Sequence, residues 1–159
     1  MLAALVVGCG GSARGEHKSS RRVEGAGYSF EAPSGWHVSR AGRTVSAASG
    51  EELVSVTLFR LARPYTPKLW PKVVPVLDGV AAQLAHGLAG NVDSRATVVL
   101  AGRRARRYEI GFRRGGKDVV ERIVFLLDGR REYQLLCRYE RAGGSPGTCS
   151  AFLASFRPA

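Results

Sequence analysis

One stretch of this chain keeps a different period from the rest. Leu69, Val73, Val76, Leu77, Val80, Ala81, Leu84 and Leu88 recur at three- and four-residue spacing, the stripe of an amphipathic helix. On both sides of it apolar residues alternate instead, and alternation sends successive side chains to opposite faces of a strand. The order of strands, one long helix, more strands and a short closing helix reads as an α+β chain.

Tyr28, Phe30 and Ala32 alternate up to a turn at Pro33-Ser34-Gly35, and Trp36-His37-Val38 resumes the extended chain. Thr44 to Ala48 is a short strand. Over residues 53–61, Leu53, Ser55, Thr57 and Phe59 share one face and Val54, Val56 and Leu58 the other, which predicts a central strand. Pro67, Pro71 and Pro75 crowd the front of the helical stripe. Proline is tolerated in a first turn only, so the regular helix is expected to begin near Pro71 or Pro75 and to end at Gly90-Asn91. Strands follow over residues 95–100, 103–112, 119–127 and 132–139, with turns at Ala101-Gly102, Gly115-Gly116 and, as the strongest hairpin signal, Asp128-Gly129. Tyr133, Leu135, Cys137 and Tyr139 fall on one face. Cys149, Phe152, Leu153 and Phe156 form the apolar stripe of the last helix.

At the front, Leu5, Val6, Val7 and Gly8 lead into Cys9. This junction resembles the lipobox of bacterial lipoproteins, in which the cysteine is diacylated and becomes the first residue of the mature chain. Only eight residues precede Cys9 and none is basic, whereas a targeting segment carries a basic n-region; the reading therefore expects a start further upstream. Residues 10–27 are rich in Gly, Ser and charge, a composition that cannot offset its ordering entropy by burial. The expected organisation is a signal-peptide remnant over residues 1–8, a lipidated cysteine and flexible tether over 9–27, and one domain over 28–159. That domain is long enough for a real core. The expected location is the extracytoplasmic face of the cell membrane, held by the lipid.

The formal charge of +11 raises the question of nucleic acid. Arginine supplies 20 of the 24 basic residues, but they are scattered in pairs rather than gathered into a stripe, so nucleic acid is not the expected partner. A positive surface beside a membrane suits anionic headgroups or wall polymers. Cys137 and Cys149 remain once Cys9 is assigned. Cys137 points to the core side of a strand and Cys149 to the core side of the next helix, so docking the helix on that strand brings the two together. In an exported protein a disulfide is expected; two buried free thiols are the alternative. A pair of cysteines without a histidine or a second pair is too few for zinc.

Tyr28-Ser29-Phe30-Glu31-Ala32-Pro33-Ser34-Gly35-Trp36, the mid-chain helix, Ala105-Arg106-Arg107-Tyr108, Asp128-Gly129-Arg130 with Tyr133, and the closing Cys149, Phe152, Ser155 and Phe156 resemble the Mog1/PsbP-like domains of bacterial lipoproteins. The resemblance covers residues 28–157. It implies an antiparallel β-sheet flanked by helices, an α/β/α sandwich, and a binding or assembly accessory rather than an enzyme, with no catalytic residue to carry over.

The residues support the same functional expectation. His17 falls in the tether, His37 at a strand start and His86 off the helix stripe, none spaced as a metal or base pair. No nucleophile elbow, P-loop or dinucleotide fingerprint is present, and neither a metal nor a cofactor is expected. Glu109, Glu121 and Glu132 alternate into a sheet rich in Arg107, Arg122 and Arg131, which predicts cross-strand ion pairs. Tyr65 and Trp70 sit among prolines before the helix. They form either a partner surface or, for Trp70, a buried cap on the sandwich edge. The preferred expectation is a lipid-anchored, non-catalytic binding domain that contacts an envelope protein or other envelope component. The alternative is a carrier of a small molecule or anionic polymer in an Arg-lined cleft between sheet and helix.

Overall fold

The computed structural model describes residues 19–159; Cys9, His17 and most of the expected tether lie outside them. Nine strands and two helices follow in the order β1 (Ser20–Gly25), β2 (Tyr28–Pro33), β3 (His37–Ala41), β4 (Thr44–Ser49), β5 (Glu52–Tyr65), α1 (Trp70–Gly87), β6 (Asn91–Leu100), β7 (Arg103–Arg114), β8 (Lys117–Glu140), α2 (Pro146–Ser155) and β9 (Arg157–Pro158). A six-stranded sheet has the order β3-β4-β5-β8-β7-β6, and a three-stranded one the order β1-β2-β9. Every pairing is antiparallel, and the fold is α+β.

β8 is not one straight rod. At about 3.3 Å per residue, its 24 residues would span roughly 80 Å. Instead it folds double: the Arg141 N–H donates to the Asp118 carbonyl at 2.8 Å, and Arg138 reaches Glu121. Both pairs are equidistant from Gly129-Arg130, where Gly129 takes a φ of +56° that glycine adopts without strain. The first arm pairs with β7 and the second with β5. The Asp128-Gly129 signal therefore marks a real hairpin.

The large sheet has two different faces. One buries Val45, Ala47, Val54, Val56, Ala105, Val120, Val124, Leu126, Tyr133, Leu135 and Cys137 against β1, β2 and α2, which add Val23, Tyr28, Phe30, Cys149, Phe152 and, just past the helix, Phe156. On the other face α1 lays Leu77, Ala81 and Ala85 against Tyr108, Ile110, Phe112, Ile123 and Phe125. The α1 cluster lies mainly over β6, β7 and the first arm of β8. On the same side, Ser39, Thr44, Ser46, Thr57 and Gln134 of the remaining strands are exposed or half-buried. Their hydroxyls pair with one another, Ser39 with Ser46 and Thr44 with Thr57, each at 2.8 Å. The small sheet beside α2 means that the second layer is mixed rather than purely helical.

Two local readings are corrected. The tether expected over residues 10–27, and with it the domain start at Tyr28, is overturned from Ser20 onward. There β1 pairs with β2 along its whole length, from Ser20 opposite Pro33 to Gly25 opposite Tyr28. β1 is an edge strand that buries one side chain deeply, Val23, so composition alone cannot reveal it. Gly25 accepts the Tyr28 ring against its backbone where a β-carbon would collide. At the end of α1 the left-handed residue is Ala89 (φ +51°), not Gly90. The Gly90 and Ala89 N–H groups donate to Ala85 and His86, the Schellman pattern. Gly90 is needed for space instead, because a β-carbon there would press into the Gly111 carbonyl and Phe112. The helix starts at Trp70, with Pro71 in its first turn and Pro75 carried inside it.

Candidate functional site

At one end of the large sheet three chain reversals meet the start of α1. The β6–β7 turn supplies Gly102, the β8 turn supplies Asp128 and Gly129, and the end of β5 supplies Tyr65, which pairs with Gly129 after a register shift. With Pro67, Arg103, Arg104 and Leu127 they line a cleft of about 330 Å³. Arg103 pairs with Asp128 at 3.2 Å. Arg104 donates to the Pro67 carbonyl at 3.4 Å, and its guanidinium lies 5.7 Å from the centre of a Trp70 ring, within cation–π range. Arg130 donates to the Ala62 carbonyl at 3.2 Å, so it flanks the same end.

Tyr65 and Trp70 do not form one exposed surface. Trp70 is 7% exposed and backs the Arg104 guanidinium from inside, which corrects its place in the expected partner surface. Tyr65 is half-buried and remains on the cleft wall. Its ring completes an apolar side with Pro67 and Leu127. The convergence of Arg103, Arg104 and Arg130 was not read from the sequence. The available signal was that Arg103-Arg104 follows the Ala101-Gly102 turn and Arg130 sits in the Asp128-Gly129 turn. In an antiparallel meander, alternate turns return to the same end.

A second polar constellation lies under α1. Asp78 accepts hydrogen bonds from Arg106 Nε at 3.0 Å, from a terminal Arg106 nitrogen at 3.2 Å and from the Tyr108 hydroxyl at 2.5 Å, with Arg95 at 3.6 Å. Burial pushes the Asp78 carboxyl up, but the Tyr108 and Arg106 hydrogen bonds and the Arg106 and Arg95 charges outweigh it, holding the carboxyl below its ordinary range. Burial, followed by the hydrogen bond to Asp78, pushes the Tyr108 phenol up to about 12. Three donors of the protein itself thus engage both carboxylate oxygens, with the Arg95 charge beside them. This is a clasp for the helix rather than a site for a ligand.

The glutamate expectations divide. Glu109 pairs with Arg122 at 2.8 Å as a direct cross-strand pair. Glu121, 4% exposed, pairs with Arg138 across the β8 hairpin at 2.5 Å rather than with Arg107 or Arg131. Glu132 has no ion-pair partner among the described residues, and burial alone pushes its carboxyl up. His37 and His86 are exposed. Cys137 and Cys149 form a disulfide with Cα atoms 5.6 Å apart, tying the second arm of β8 to α2. No group of three or more His, Cys, Asp or Glu that could hold a metal ion occurs among the described residues. No described helix is long and apolar enough to cross a membrane.

Two other hollows bear comparison with the cleft at Tyr65. A groove of about 340 Å³ runs between the β2 edge and α2, lined by Ser20, Ala32, Pro33, Gly147, Ala151 and Phe152 among others. A polar notch at the end of α1 is filled by the ion pair of Asp93 and Arg141, 2.5 Å apart. The notch also holds Phe112 and two arginines, but each pairs with a lining carboxylate, Arg113 with Asp118 and Arg141 with Asp93; the cleft at Tyr65 differs in having one lining carboxylate for Arg103 and Arg104.

No protein-family model matches the chain, and no curated protein does. Solved structures are similar to it. A protein from Bacteroides thetaiotaomicron VPI-5482 is 14% identical with a TM-score of 0.59, over 88% of this chain and 48% of that one. LpqN, involved in cell envelope biogenesis of Mycobacterium tuberculosis, is 10% identical with a TM-score of 0.48, over 88% and 90% of the two chains. PA94, a protein of unknown function from Pseudomonas aeruginosa, is 18% identical with a TM-score of 0.44, over 83% and 90%. This chain spans about half the length of the Bacteroides protein. At that identity the likeness establishes a shared fold and nothing finer; the resemblance to Mog1/PsbP-like domains has no family match behind it.

Proposed function

We propose that this chain is a lipid-anchored binding domain on the extracytoplasmic face of the cell membrane, with no catalytic activity of its own, contacting a protein or another envelope component. The observation that carries the reading is the Cys137–Cys149 disulfide at the heart of the larger core. Such bonds belong to oxidising compartments, and the Leu5 to Cys9 junction supplies the route out and the anchor. Pairing of Asp78, Glu109 and Glu121 with arginines supports a non-catalytic reading, because these carboxylates are committed to structure. The Mog1/PsbP-like resemblance points the same way.

The test is the intact mass of the protein from its native membrane fraction, with thiols alkylated before or after reduction. A chain beginning at Cys9, heavier by its acyl groups and gaining two alkylated thiols only on reduction, is the expected result. A chain with an unmodified N-terminus and three thiols open to alkylation without reduction overturns the reading. The Arg-lined cleft at Tyr65 favours a second reading, a carrier of an anionic polymer or small molecule.

A further inference from the structure

We infer that the cleft beside Tyr65 is a subsite for a phosphodiester group, and that its ligand is a soluble anionic polymer reached on the side of the body facing away from the anchor. The orientation rests on the proposed lipid anchorage; the chemistry of the cleft does not.

The chemistry follows from how few of the local donors are spent. A guanidinium carries five N–H donors. Within hydrogen-bond or ion-pair distance, Arg104 commits one nitrogen to the Pro67 carbonyl and Arg130 one to the Ala62 carbonyl. A carbonyl fixes an arginine without neutralising it. Arg103 is paired with Asp128, which is the one carboxylate among the lining residues. The cleft thus keeps net positive charge, and exposed Arg63 and Lys68 flank it in sequence. The Tyr65 hydroxyl has no protein partner among the described residues. Planar forks suit the non-bridging oxygens of phosphate, and the stack on Trp70 holds one fork in place before a ligand arrives. Beside these donors, Tyr65, Pro67 and Leu127 offer an apolar wall on which the glycerol or sugar link next to a phosphodiester can lie.

The direction comes from topology. Ser20, beyond which the chain runs back toward Cys9, lies against Pro33 and the start of α2. The Ser145 N–H just before α2 donates to Glu52 at 2.8 Å, and Glu52 begins β5 whereas Tyr65 ends it. β5 runs beside the second arm of β8 from Leu53 opposite Arg138 to Tyr65 opposite Gly129, so its ends lie about nine residues of that arm apart, roughly 30 Å at about 3.3 Å per residue. The chain's exit toward the anchor and the cleft are therefore at opposite ends of the body.

The test uses the full chain carrying Cys9→Ser, which leaves no thiol at that position to acylate, titrated calorimetrically with a synthetic poly(glycerol phosphate) oligomer. Saturable binding is expected, with Arg104→Ala and Arg130→Ala each weakening it about fivefold or more, as removal of a charged hydrogen-bond donor does. Arg113→Ala, at the far end beside Asp118, is expected to change it less than about twofold through screened charge alone. Arg104 on the cleft wall and Arg130 beside it are both exposed. Having two of them keeps the test decisive if the loss of the Trp70 stack lowers the melting temperature of one variant. Absence of saturable binding overturns the subsite, and so does equal weakening by Arg113→Ala and the cleft variants. A second arm measures sedimentation with phosphatidylglycerol–phosphatidylcholine vesicles; binding to vesicles without binding to the soluble oligomer overturns the polymer as ligand. Failure of lipid anchorage is read separately, from the mass of the native protein, and leaves the titration of the cleft standing.

Discussion

The two faces of the large sheet are held by different physics. Toward α2 and the small sheet the contact is dry and aromatic: Phe30 meets Phe152 edge-on at 5.1 Å, Tyr133 meets Phe156 at 5.4 Å, and a disulfide closes the layer. Toward α1 the apolar contact is narrower and is reinforced by charge, through the Asp78 clasp and the Glu121–Arg138 pair. The strands beyond the helix remain partly open. Burial is almost indifferent to pH, whereas ion pairs are not. The two faces should therefore fail under different insults, the first to cavities and reduction, the second to acid.

The largest effect should come from emptying the dry face. Phe152→Ala, at a side chain 1% exposed, is expected to lower unfolding free energy by about 3–5 kcal/mol, measured by urea denaturation. An equal loss from Leu77→Ala, the buried leucine that α1 lays on the sheet, would show that the contrast between the faces is false. Reduction of Cys137–Cys149 comes next, at about 3 kcal/mol on the chain-entropy account for a bridge spanning 12 residues, read as a lower urea midpoint in reductant.

On the other face, Asp78→Asn should cost about 1–3 kcal/mol, because it removes the charge that Arg106 and Tyr108 donate to while leaving both donors in place. Its pH signature separates it from the first two. The folded-state carboxyl is held below its unfolded value. Its contribution is therefore present above the ordinary carboxylate range and lost as pH falls through the lowered folded value. The wild type should lose stability in acid more steeply than the variant. Hydrogen exchange should show α1 opening first, with α2 still protected. Glu132→Gln should have the smallest effect and the opposite sign. Burial raises that carboxyl in the folded state, so its charged form opposes folding at neutral pH and the penalty fades on acidification. The variant should melt slightly higher at pH 7, and the gain should vanish in acid.

The dry face was the more legible of the two. Alternation put Val54 and Val56 on one face of their strand and Tyr133, Leu135 and Cys137 on one face of theirs, and the stripe of the last helix set Cys149 against the second, because side-chain period is a local property of sequence; that the two faces are one came from the structure. The long helix was equally clear for the same reason. β1 was missed because an edge strand with one deeply buried valine carries no alternation to read. The cap of α1 was displaced by one residue because a packing need at Gly90 outweighed the preference for glycine at positive φ. The cleft was the least legible part. Its arginines come from separate turns, which share an end because they are alternate turns of one meander. Tyr65 joins them only through the pairing of β5 with the second arm of β8, which no local signal gives.

The pairing of β9 with β2, Arg157 opposite Ser29 and Pro158 opposite Tyr28, has a consequence for the order in which the body assembles. Arg157 and Pro158 lie against nearly the first described residues, and the Ala159 N–H donates to the Gly27 carbonyl. Contacts of such long sequence separation form late, after the loop between them has been closed. A chain emerging N-terminus first can form its hairpins early, but Tyr28 and Tyr133 stay uncovered until Phe156 and the residues after it arrive. The larger core is therefore completed only once Phe156 has joined the segments that precede it.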